Sequence, residues 1–369
     1  MTILVTGATG FLGSALVREL LRQKQAPHAL ATSDYRETWN PARCSRALLA
    51  GKGSKRGAKG TGNNALQDVR ILTRDEKKAR AQFGEAVRVI HGEITDIKQL
   101  QQAVDGAIYI YHLAGCLYHP SIPAEVYWTT HVEGTRRLLA ACQGQSQLRR
   151  IVHCSTTGVY GVTGVTPACE EAPFAPTNPY EETKLESELL ALKAYREQGL
   201  PISIVRPGLV YGPGDLHLLG FFASIKKGLF RVIDGGQALL HPIYIDDLIT
   251  AFLLCAERPE AAGRSYNIAG EQPVTIRELA RAIAHALGKE LPGGSIPLWL
   301  ANLAADIFTM LPGFQGERAP LTRSRVTFLT RSRVYDNSCA KAELGFSTKV
   351  RLDEGLKQTA AWYYQHHYL

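Results

Sequence analysis

Two side chains that can move a proton lie four positions apart, Tyr180 and Lys184, in the run NPYEETKLESELL. On a helix this spacing places both side chains on one face. A lysine ammonium beside a phenol stabilises the phenolate and lowers the phenol pKa from about 10 toward the operating range. Such a phenol can pass a proton to or from an oxygen atom of a substrate. Taken alone, the pair is more often a chance feature of an amphipathic helix.

Three hydroxyl side chains, Ser155, Thr156 and Thr157, end an apolar run in IVHCSTTGVYG. The run predicts a strand from Arg150 to Ser155, so the hydroxyls would lie at the end of that strand. One of them can hydrogen-bond the same substrate oxygen as Tyr180. The two segments together therefore predict a site for acid–base chemistry.

The chain opens with MTILVTGATGFLG, in which an apolar run leads into Gly7, Gly10 and Gly13. Glycines let the backbone come close to a pyrophosphate, and a helix N-terminus supplies free N–H groups and the positive end of a dipole. A strand at Ile3–Thr6 and an amphipathic helix reaching about Lys24 provide the context that such a site requires. The turn is therefore predicted to bind a dinucleotide.

The second strand of the pattern ends in Leu72-Thr73-Arg74-Asp75. A site that prefers NAD usually has a carboxylate at this strand tip, where it binds the ribose 2′-hydroxyl. Here Thr73 occupies the tip and Arg74 follows. A guanidinium at this place can pair with a 2′-phosphate, which favours NADP over NAD, although NAD is possible.

Short apolar strands alternate with helical segments through most of the chain. Strands are predicted at Ile3–Thr6, Val69–Leu72, Val87–Ile90, Ala107–Leu113, Arg150–Ser155 and Ile202–Arg206, and helices near 97–104, 124–142 and 180–198. This alternation is typical of an α/β fold with a doubly wound parallel sheet. The C-terminal third is richer in glycine and proline and ends in a helix near 353–366, which indicates a smaller second domain over the carboxyl edge of the sheet.

Seven segments resemble, in order and spacing, the extended short-chain dehydrogenase/reductase family, the NAD-dependent epimerase/dehydratase group. They are TGATGFLG, YHLAG, HVEGTRRLL, CSTTGVYG, PYEETK, RPGLVYGPGD and HPIYIDDL. The run 320–346 resembles the C-terminal segment of hydroxysteroid-dehydrogenase-like and dihydroflavonol-reductase-like members. The resemblance covers nearly the whole chain outside residues 25–67, and it implies a Rossmann fold.

The resemblance also implies roles for particular residues. Tyr180 would be the acid/base, Lys184 its electrostatic partner, and Thr156 the hydroxyl that polarises the substrate carbonyl. The residues expected to contact the cofactor are Gly7, Thr9, Gly10, Phe11, Leu12, Gly13, Arg74, Glu93, Ile94, Leu113, Ala114, Gly115, His131, Tyr180, Lys184, Pro207 and Gly208. His131 departs from the family, which usually has asparagine at that place.

We predict that residues 1–208 with 241–258 form the NAD(P)-binding domain, and that 209–240 with 259–369 form the substrate-binding domain. Residues 25–67 are predicted to be a largely mobile insertion, because GKGSKRGAKGTGNN has almost no apolar side chain to bury. The insertion carries seven Lys/Arg against two Asp/Glu, a charge of +5 out of the net +8. It is either a solvated linker or a docking segment for an acidic partner or membrane surface.

This chain departs from the sequence pattern of the family at three places that help to predict the reaction. Dehydratases of the family carry Thr-Asp-Glu before Val-Tyr-Gly, whereas this chain has Thr156-Thr157-Gly158 and lacks both carboxylates. Nucleotide-sugar enzymes typically carry asparagine and arginine where this chain has Leu209 and Leu240. A diphosphate needs cationic, hydrogen-bonding partners, which two leucines do not supply. We therefore predict a dehydrogenase or ketoreductase that transfers hydride between nicotinamide and a hydroxyl or carbonyl of a non-nucleotide, fairly apolar substrate, sterol-like or similar.

Other interpretations stay open. A nucleotide-sugar 4-epimerase with tightly bound NAD would use the same side chains, and Arg231, Arg264 or Arg318 can compensate for the leucines. A non-catalytic NAD(P)-binding regulatory protein is less favoured, because such proteins often lose the tyrosine or the lysine. The apolar run 296–313 suits a pocket wall, a helix at a membrane interface, or plain core.

The amino-acid composition indicates the cellular location and the classes of ligand to expect. Seven scattered cysteines without CxxC spacing favour reduced thiols in a cytoplasm, and eleven histidines without HExxH predict no metal site. No window is typical of a transmembrane helix. The basic insertion lacks interleaved aromatics, so we expect a small-molecule substrate and no nucleic acid. The family often dimerises through the helices of HVEGTRRLL and PYEETKLESELL, so a homodimer is expected.

Overall fold

Parallel strands with helices between them form the first two thirds of the computed structural model, which describes residues 1–25, 68–119, 121–310 and 321–369. In chain order the elements are β1 Thr2–Thr6, α1 Phe11–Gln25, β2 Asp68–Thr73, α2 Glu76–Phe83, β3 Arg88–His91, α3 Ile97–Val104, β4 Ala107–His112, α4 Ala124–Tyr127, a π-helical turn Trp128–Glu133, α5 Gly134–Ala141, β5 Arg150–Cys154, α6 Pro179–Gln198 and β6 Ile202–Pro207. Apart from Gln25, the predicted insertion lies outside the described residues.

Short strands and helices make up the remainder. They are β7 Leu209–Tyr211, α7 Leu219–Lys226, β8 Leu239–Leu240, β9 Pro242–Tyr244, α8 Ile245–Glu257, β10 Ser265–Ile268, β11 Val274–Thr275, α9 Ile276–Ala286, α10 Leu298–Met310, α11 Arg323–Thr330, α12 Ser338–Leu344 and α13 Leu352–Gln365. Two small sheets, β7 with β9 and β8 with β11, hold this part together.

The main sheet has seven strands in the order β10-β6-β5-β4-β1-β2-β3, and its pairs are all parallel. Buried apolar clusters lie on both faces, one including Leu16 and Phe252 of α1 and α8, the other Leu100 and Leu138 of α3 and α5. Helices on both faces of a parallel sheet are the doubly wound arrangement. The predicted fold class is therefore confirmed.

The structure adds elements that the apolar pattern does not predict. Helix α2 has only Ala79 and Phe83 buried, and it is started by the Asp75 carboxylate, which accepts the Lys78 N–H. Strand β10 pairs with β6, although its residues fall in the range predicted for the smaller domain. The sheet thus extends beyond that boundary, and the division into domains stays a prediction.

Helix α6 carries Tyr180 and Lys184, and local signals define its ends. The Asn178 side chain accepts the Glu181 N–H at 3.0 Å, Pro179 occupies the first turn, and Gly199 ends the helix with φ 69°. Its buried face is largely polar, and includes Glu181, Thr183, Lys184, Ser187 and Glu188. Buried polar side chains need partners, so this face meets other polar groups rather than a plain apolar core.

Candidate active site

The predicted site residues lie at the carboxyl ends of neighbouring strands. Across the sheet from β3 to β6 they follow the strands in the order Glu93 and Ile94, Arg74, the glycine turn, Leu113–Gly115, Thr156, and Pro207 with Gly208. Strands that run parallel bring their carboxyl ends to one edge, where open α/β sheets bind ligands. Segments far apart in sequence thus form one continuous line.

The glycine turn between β1 and α1 is too crowded for side chains. Gly7 has φ +70°, and a Cβ there would lie 2.5 Å from the Leu113 carbonyl oxygen. A Cβ on Gly13 would lie 2.2 Å from the Gly7 oxygen, while Gly10 is exposed. The turn therefore packs tightly against the end of β4 and leaves bare backbone at the start of α1. This arrangement fits a dinucleotide pyrophosphate.

Replacing Gly7 with alanine is expected to weaken NAD(P)H binding by roughly tenfold or more, because the methyl group displaces Leu113. Fluorescence titration with NADPH measures the effect. Gly106→Ala is the matched control: Gly106 also has positive φ, +65°, yet nothing lies within 4 Å of its added Cβ. Equal loss of binding in both variants would mean that backbone strain, and not crowding at the turn, is responsible.

Tyr180, Thr156 and Lys184 converge where β5 ends. The Thr156 side chain lies beside the Tyr180 phenol, close enough to influence its pKa. The Thr156 oxygen accepts the Gly158 N–H at 3.0 Å, which fixes that side chain. The buried Lys184 ammonium donates to the Cys154 carbonyl of β5. Two hydroxyls and one ammonium are thus assembled from a strand end and a helix.

Burial dominates the ionisation of this group. It raises the pKa of the Tyr180 phenol well above its ordinary value, with the nearby Cys154 acting in the same direction and the Thr156 side chain opposing it. Burial also lowers the pKa of the Lys184 ammonium. The lowered Tyr180 pKa expected from Lys184 is therefore not what this structure shows, because burial of the phenol raises its pKa. The phenol is protonated at neutral pH.

His131 joins two parts of the site. Its Nε2 accepts the Cys116 N–H at 3.2 Å, and its Nδ1 is 2.9 Å from the hydroxyl of Thr183, between Tyr180 and Lys184 in α6. Thr183 donates its own proton to the Pro179 carbonyl, so Nδ1 carries the ring proton. Both nitrogens are engaged by the chain. The bridging role differs from the cofactor contact predicted for His131, which stays a prediction.

Burial keeps three histidines near Lys184 neutral. It lowers the pKa of His131 to about 2 and that of His112 to about 3, and the Lys184 charge acts in the same direction. The pKa of His153 is also lowered well below its ordinary value, first by burial and then by Lys184. His112 lies between the hydroxyls of Thr6 and Thr135, at 2.8 and 2.9 Å.

An open groove of about 500 Å³ lies beside the ends of β2 and β3, and includes Arg74, His91 and Glu93 in its lining. Arg74 is exposed, and its carbonyl lies 3.1 Å from the His91 ring nitrogen Nε2. The groove thus brings together Arg74 and Glu93, which are both predicted to contact the cofactor. Within the described ranges, no group of three His, Cys, Asp or Glu side chains could hold a metal ion.

Sequence similarity decides the family. The model of the NAD-dependent epimerase/dehydratase family matches residues 3–269. The chain belongs to this family. Its relatives include named dehydrogenases, ketoreductases and epimerases, so this family member is an NAD(P)-dependent enzyme.

Individual relatives span several activities. The 3beta-hydroxysteroid-dehydrogenase/decarboxylase isoform 1 of Arabidopsis thaliana is 31% identical over 75% of this chain and 68% of its own length, and the chain spans 51% of isoform 2. The 4-hydroxy-2-methyl-3-oxo-4-farnesyl-3,4-dihydroquinoline-1-oxide ketoreductase of Stigmatella aurantiaca is 28% identical over 78% of this chain and 87% of its own. The UDP-glucuronic acid 4-epimerase of Bacillus cereus, solved in complex with NAD, has a TM-score of 0.69 at 23% identity and full coverage of both chains, which shows the shared fold.

A buried ion pair behind the site was not predicted from the sequence. Glu188, one turn after Lys184, is bound by the Arg206 guanidinium of β6, and both side chains are almost completely buried. The two positions are 18 residues apart, on separate elements. Arg206 belongs to the motif RPGLVYGPGD, but that motif does not predict its ion pair with Glu188.

Proposed function

We propose that this chain is a ketoreductase or dehydrogenase that transfers hydride between a nicotinamide and a carbonyl or hydroxyl of a fairly apolar, non-nucleotide substrate, sterol-like or similar. The observation that carries the proposal is the convergence of Tyr180, Thr156 and buried Lys184 at the end of β5. When bound, NAD(P)H supplies the hydride. The glycine turn would hold its pyrophosphate.

Side chains of the chain itself would supply the proton that the substrate oxygen receives during reduction. The Thr156 and Tyr180 hydroxyls would both hydrogen-bond the substrate oxygen and orient the carbonyl. Tyr180 would donate its phenol proton to that oxygen, and the Lys184 ammonium would stabilise the negative charge left on the phenolate. A phenol whose pKa is raised by burial is protonated at neutral pH, which supports action in the direction of reduction.

Two leucines support a substrate without a diphosphate. Leu240 is buried in β8, paired with Val274 of β11, and Leu209 is partly buried in β7 opposite Pro242. Neither position offers a charge or a hydrogen-bond donor from its side chain. A nucleotide-sugar epimerase is the second candidate function. It would need other cationic side chains to bind the diphosphate of its substrate.

The decisive experiment supplies the purified chain with NADPH or NADH and a panel of apolar ketones, and follows cofactor oxidation by absorbance. The proposal expects net oxidation by a ketone and no change in melting temperature with UDP-sugars. If the protein instead retains NAD through purification and UDP-sugars stabilise it without net cofactor turnover, the epimerase takes its place. If the chain binds the cofactor but turns over neither ketones nor UDP-sugars, the non-catalytic regulatory function is favoured.

We also propose a preference for NADP, carried by Arg74 in the groove. Arg74→Ser is expected to raise the KM for NADPH about tenfold or more, because a charge-assisted contact with the 2′-phosphate is lost. The KM for NADH should change little. Lys193→Ala, which removes an exposed charge on α6, is the control. Equal changes for NADPH and NADH would contradict the assignment.

Helix α10 supports a peripheral membrane contact. Trp299, Leu303, Ile307 and Met310 are exposed, whereas Ala301 and Ala305 are buried, so plain core packing does not account for the run. Apolar side chains along one helical stripe suit a lipid interface. Flotation with anionic vesicles tests this, and Trp299→Glu should abolish it. In the part of the chain that the structure describes, no helix is long and apolar enough to cross a bilayer.

Exposed apolar side chains also support a homodimer. Val126 and Trp128 precede α5, and Leu189 lies on α6, the helices through which dimerisation is predicted. Light scattering of the wild type and of Trp128→Glu tests this: a wild-type monomer would contradict it. The cytoplasmic location stays a prediction.

A further inference from the structure

One stretch of the C-terminal part, residues 332–336, contacts both the start of α6 and the loop after β5. It follows α11 and lies beside β8, where the Arg333 N–H donates to the Leu239 carbonyl at 2.8 Å. On its other side the Val334 carbonyl accepts the Ala168 N–H at 3.0 Å. The 332–336 segment thus connects the small β8–β11 sheet with the loop that begins after β5.

Its first contact reaches the turn of α6 that carries Tyr180. The Arg333 guanidinium donates to the Glu181 carboxylate at 2.8 Å, and the Glu181 side chain is only 6% exposed. The other oxygen of that carboxylate accepts the backbone N–H and the hydroxyl of Thr177, both at 2.7 Å. Glu181 therefore joins the 332–336 segment to the start of α6, directly beside Tyr180.

Its second contact reaches the loop that carries Thr156. Burial raises the pKa of the Tyr335 phenol, and the neighbouring side chains of Thr157 and Arg333 oppose that rise. Thr157 donates its own proton to the Pro207 carbonyl at 2.9 Å. The Tyr335 ring stacks on His241, with centroids 6.3 Å apart. Thr157, next to Thr156, is thereby held by the Pro207 carbonyl and lies beside Tyr335.

We propose that Arg333 and Tyr335 are positioning residues, which hold the Tyr180 and Thr156 hydroxyls in register and couple the C-terminal elements to proton transfer. The inference rests on the proposed function of that pair. Neither residue touches the reacting atoms, because Arg333 acts through Glu181 and Tyr335 acts through Thr157. Hydroxyls that must share one substrate oxygen tolerate little displacement.

The ion pair also sets the charge near Tyr180. The groups around the phenol are Glu181 and Lys184 on α6, Cys154 on β5, Cys116 after β4, and the rings of His131 and Tyr127. The Glu181 charge raises the pKa of Tyr180, and Arg333 offsets that charge. Removing Arg333 should therefore raise the Tyr180 pKa further, and neutralising Glu181 should lower it.

The test compares Arg333→Met, Glu181→Gln and Tyr335→Phe with Arg264→Met, which removes an ion pair to Glu343 on the other side of the C-terminal part. We expect kcat to fall about tenfold in Arg333→Met, with the KM for NADPH unchanged, and Arg333→Lys to recover part of the loss. The pH profile of kcat should move upward in Arg333→Met and downward in Glu181→Gln. A loss of melting temperature without these shifts, or a profile like that of Arg264→Met, would overturn the proposal.

A second readout does not need turnover. Fluorotyrosine incorporated at Tyr180 reports its ionisation through the fluorine resonance, and the titration should move in opposite directions in Arg333→Met and Glu181→Gln. If these shifts occur while no ketone is reduced, the proposed function fails and the positioning role stands. If ketones are reduced and the resonance is the same in all variants, the positioning role fails alone.

Discussion

Replacing Tyr180 with phenylalanine is expected to lower kcat by a factor on the order of 10²–10⁴, the usual contribution of a positioned general acid. The phenyl ring still fills the space between Tyr127 and His131, whose ring centroids lie 6.3 and 5.6 Å away. Only the proton donor is lost, so cofactor affinity and melting temperature should stay close to wild type. Steady-state kinetics and NADPH titration of the same preparation measure all three quantities.

The control for this variant is Tyr364→Phe, which removes an exposed phenol on α13, distant from the strand ends. It should leave kcat unchanged. Turnover by Tyr180→Phe within a small factor of wild type would mean that another group supplies the proton. Thr156→Val would then be the next variant, because Thr156 is the other hydroxyl in the pair.

Replacing Arg206 with methionine is expected to cost about 3–5 kcal/mol of unfolding free energy, since it leaves the Glu188 carboxylate buried without its partner. The Glu188 side chain is 0% exposed, and its second contact, from Ser265, is long at 3.4 Å. Arg206 also donates to the Glu170 carbonyl at 2.9 Å. Urea unfolding at neutral pH measures the loss.

Two further variants test whether the loss comes from the unpaired Glu188 charge or from a general disruption of the fold. Arg351→Met removes an exposed pair with Asp353 and should leave the urea midpoint close to that of the wild type. The double variant Arg206→Met with Glu188→Met should recover much of the loss, because the orphaned charge is gone. A double variant as unstable as Arg206→Met would show that the loss comes from packing around the guanidinium.

The sheet and the glycine turn could be predicted because their signals are local. Strands such as β1 and β5 are short apolar runs, and the glycines directly follow the first of them. Strand β10 was not predicted, since its buried Asn267 is polar and is satisfied by distant groups, the Tyr160 hydroxyl and the carbonyls of Ala168 and Asp336. No pattern within the strand itself indicates those partners.

The candidate site likewise combines features that local sequence predicts with contacts that it does not. The i, i+4 spacing predicts that Tyr180 and Lys184 share a face of α6, but it says nothing of the Cys154 carbonyl that binds the ammonium. Burial of the phenol, which the spacing does not predict either, is why the expected lowering of the Tyr180 pKa is not found. Arg333 meets Glu181 across 152 positions, and only the folded chain brings them together.

The three neutral histidines around Lys184 make the free energy of unfolding depend on pH. His112, His131 and His153 have pKa values below their ordinary one in the folded chain, whereas in the unfolded chain they titrate near 6.5. Below that pH the unfolded chain takes up protons that the folded chain refuses, so stability present at neutral pH is lost as the solution is acidified. The free energy of unfolding should therefore fall as the pH drops below about 6.5, which urea unfolding at a series of pH values measures.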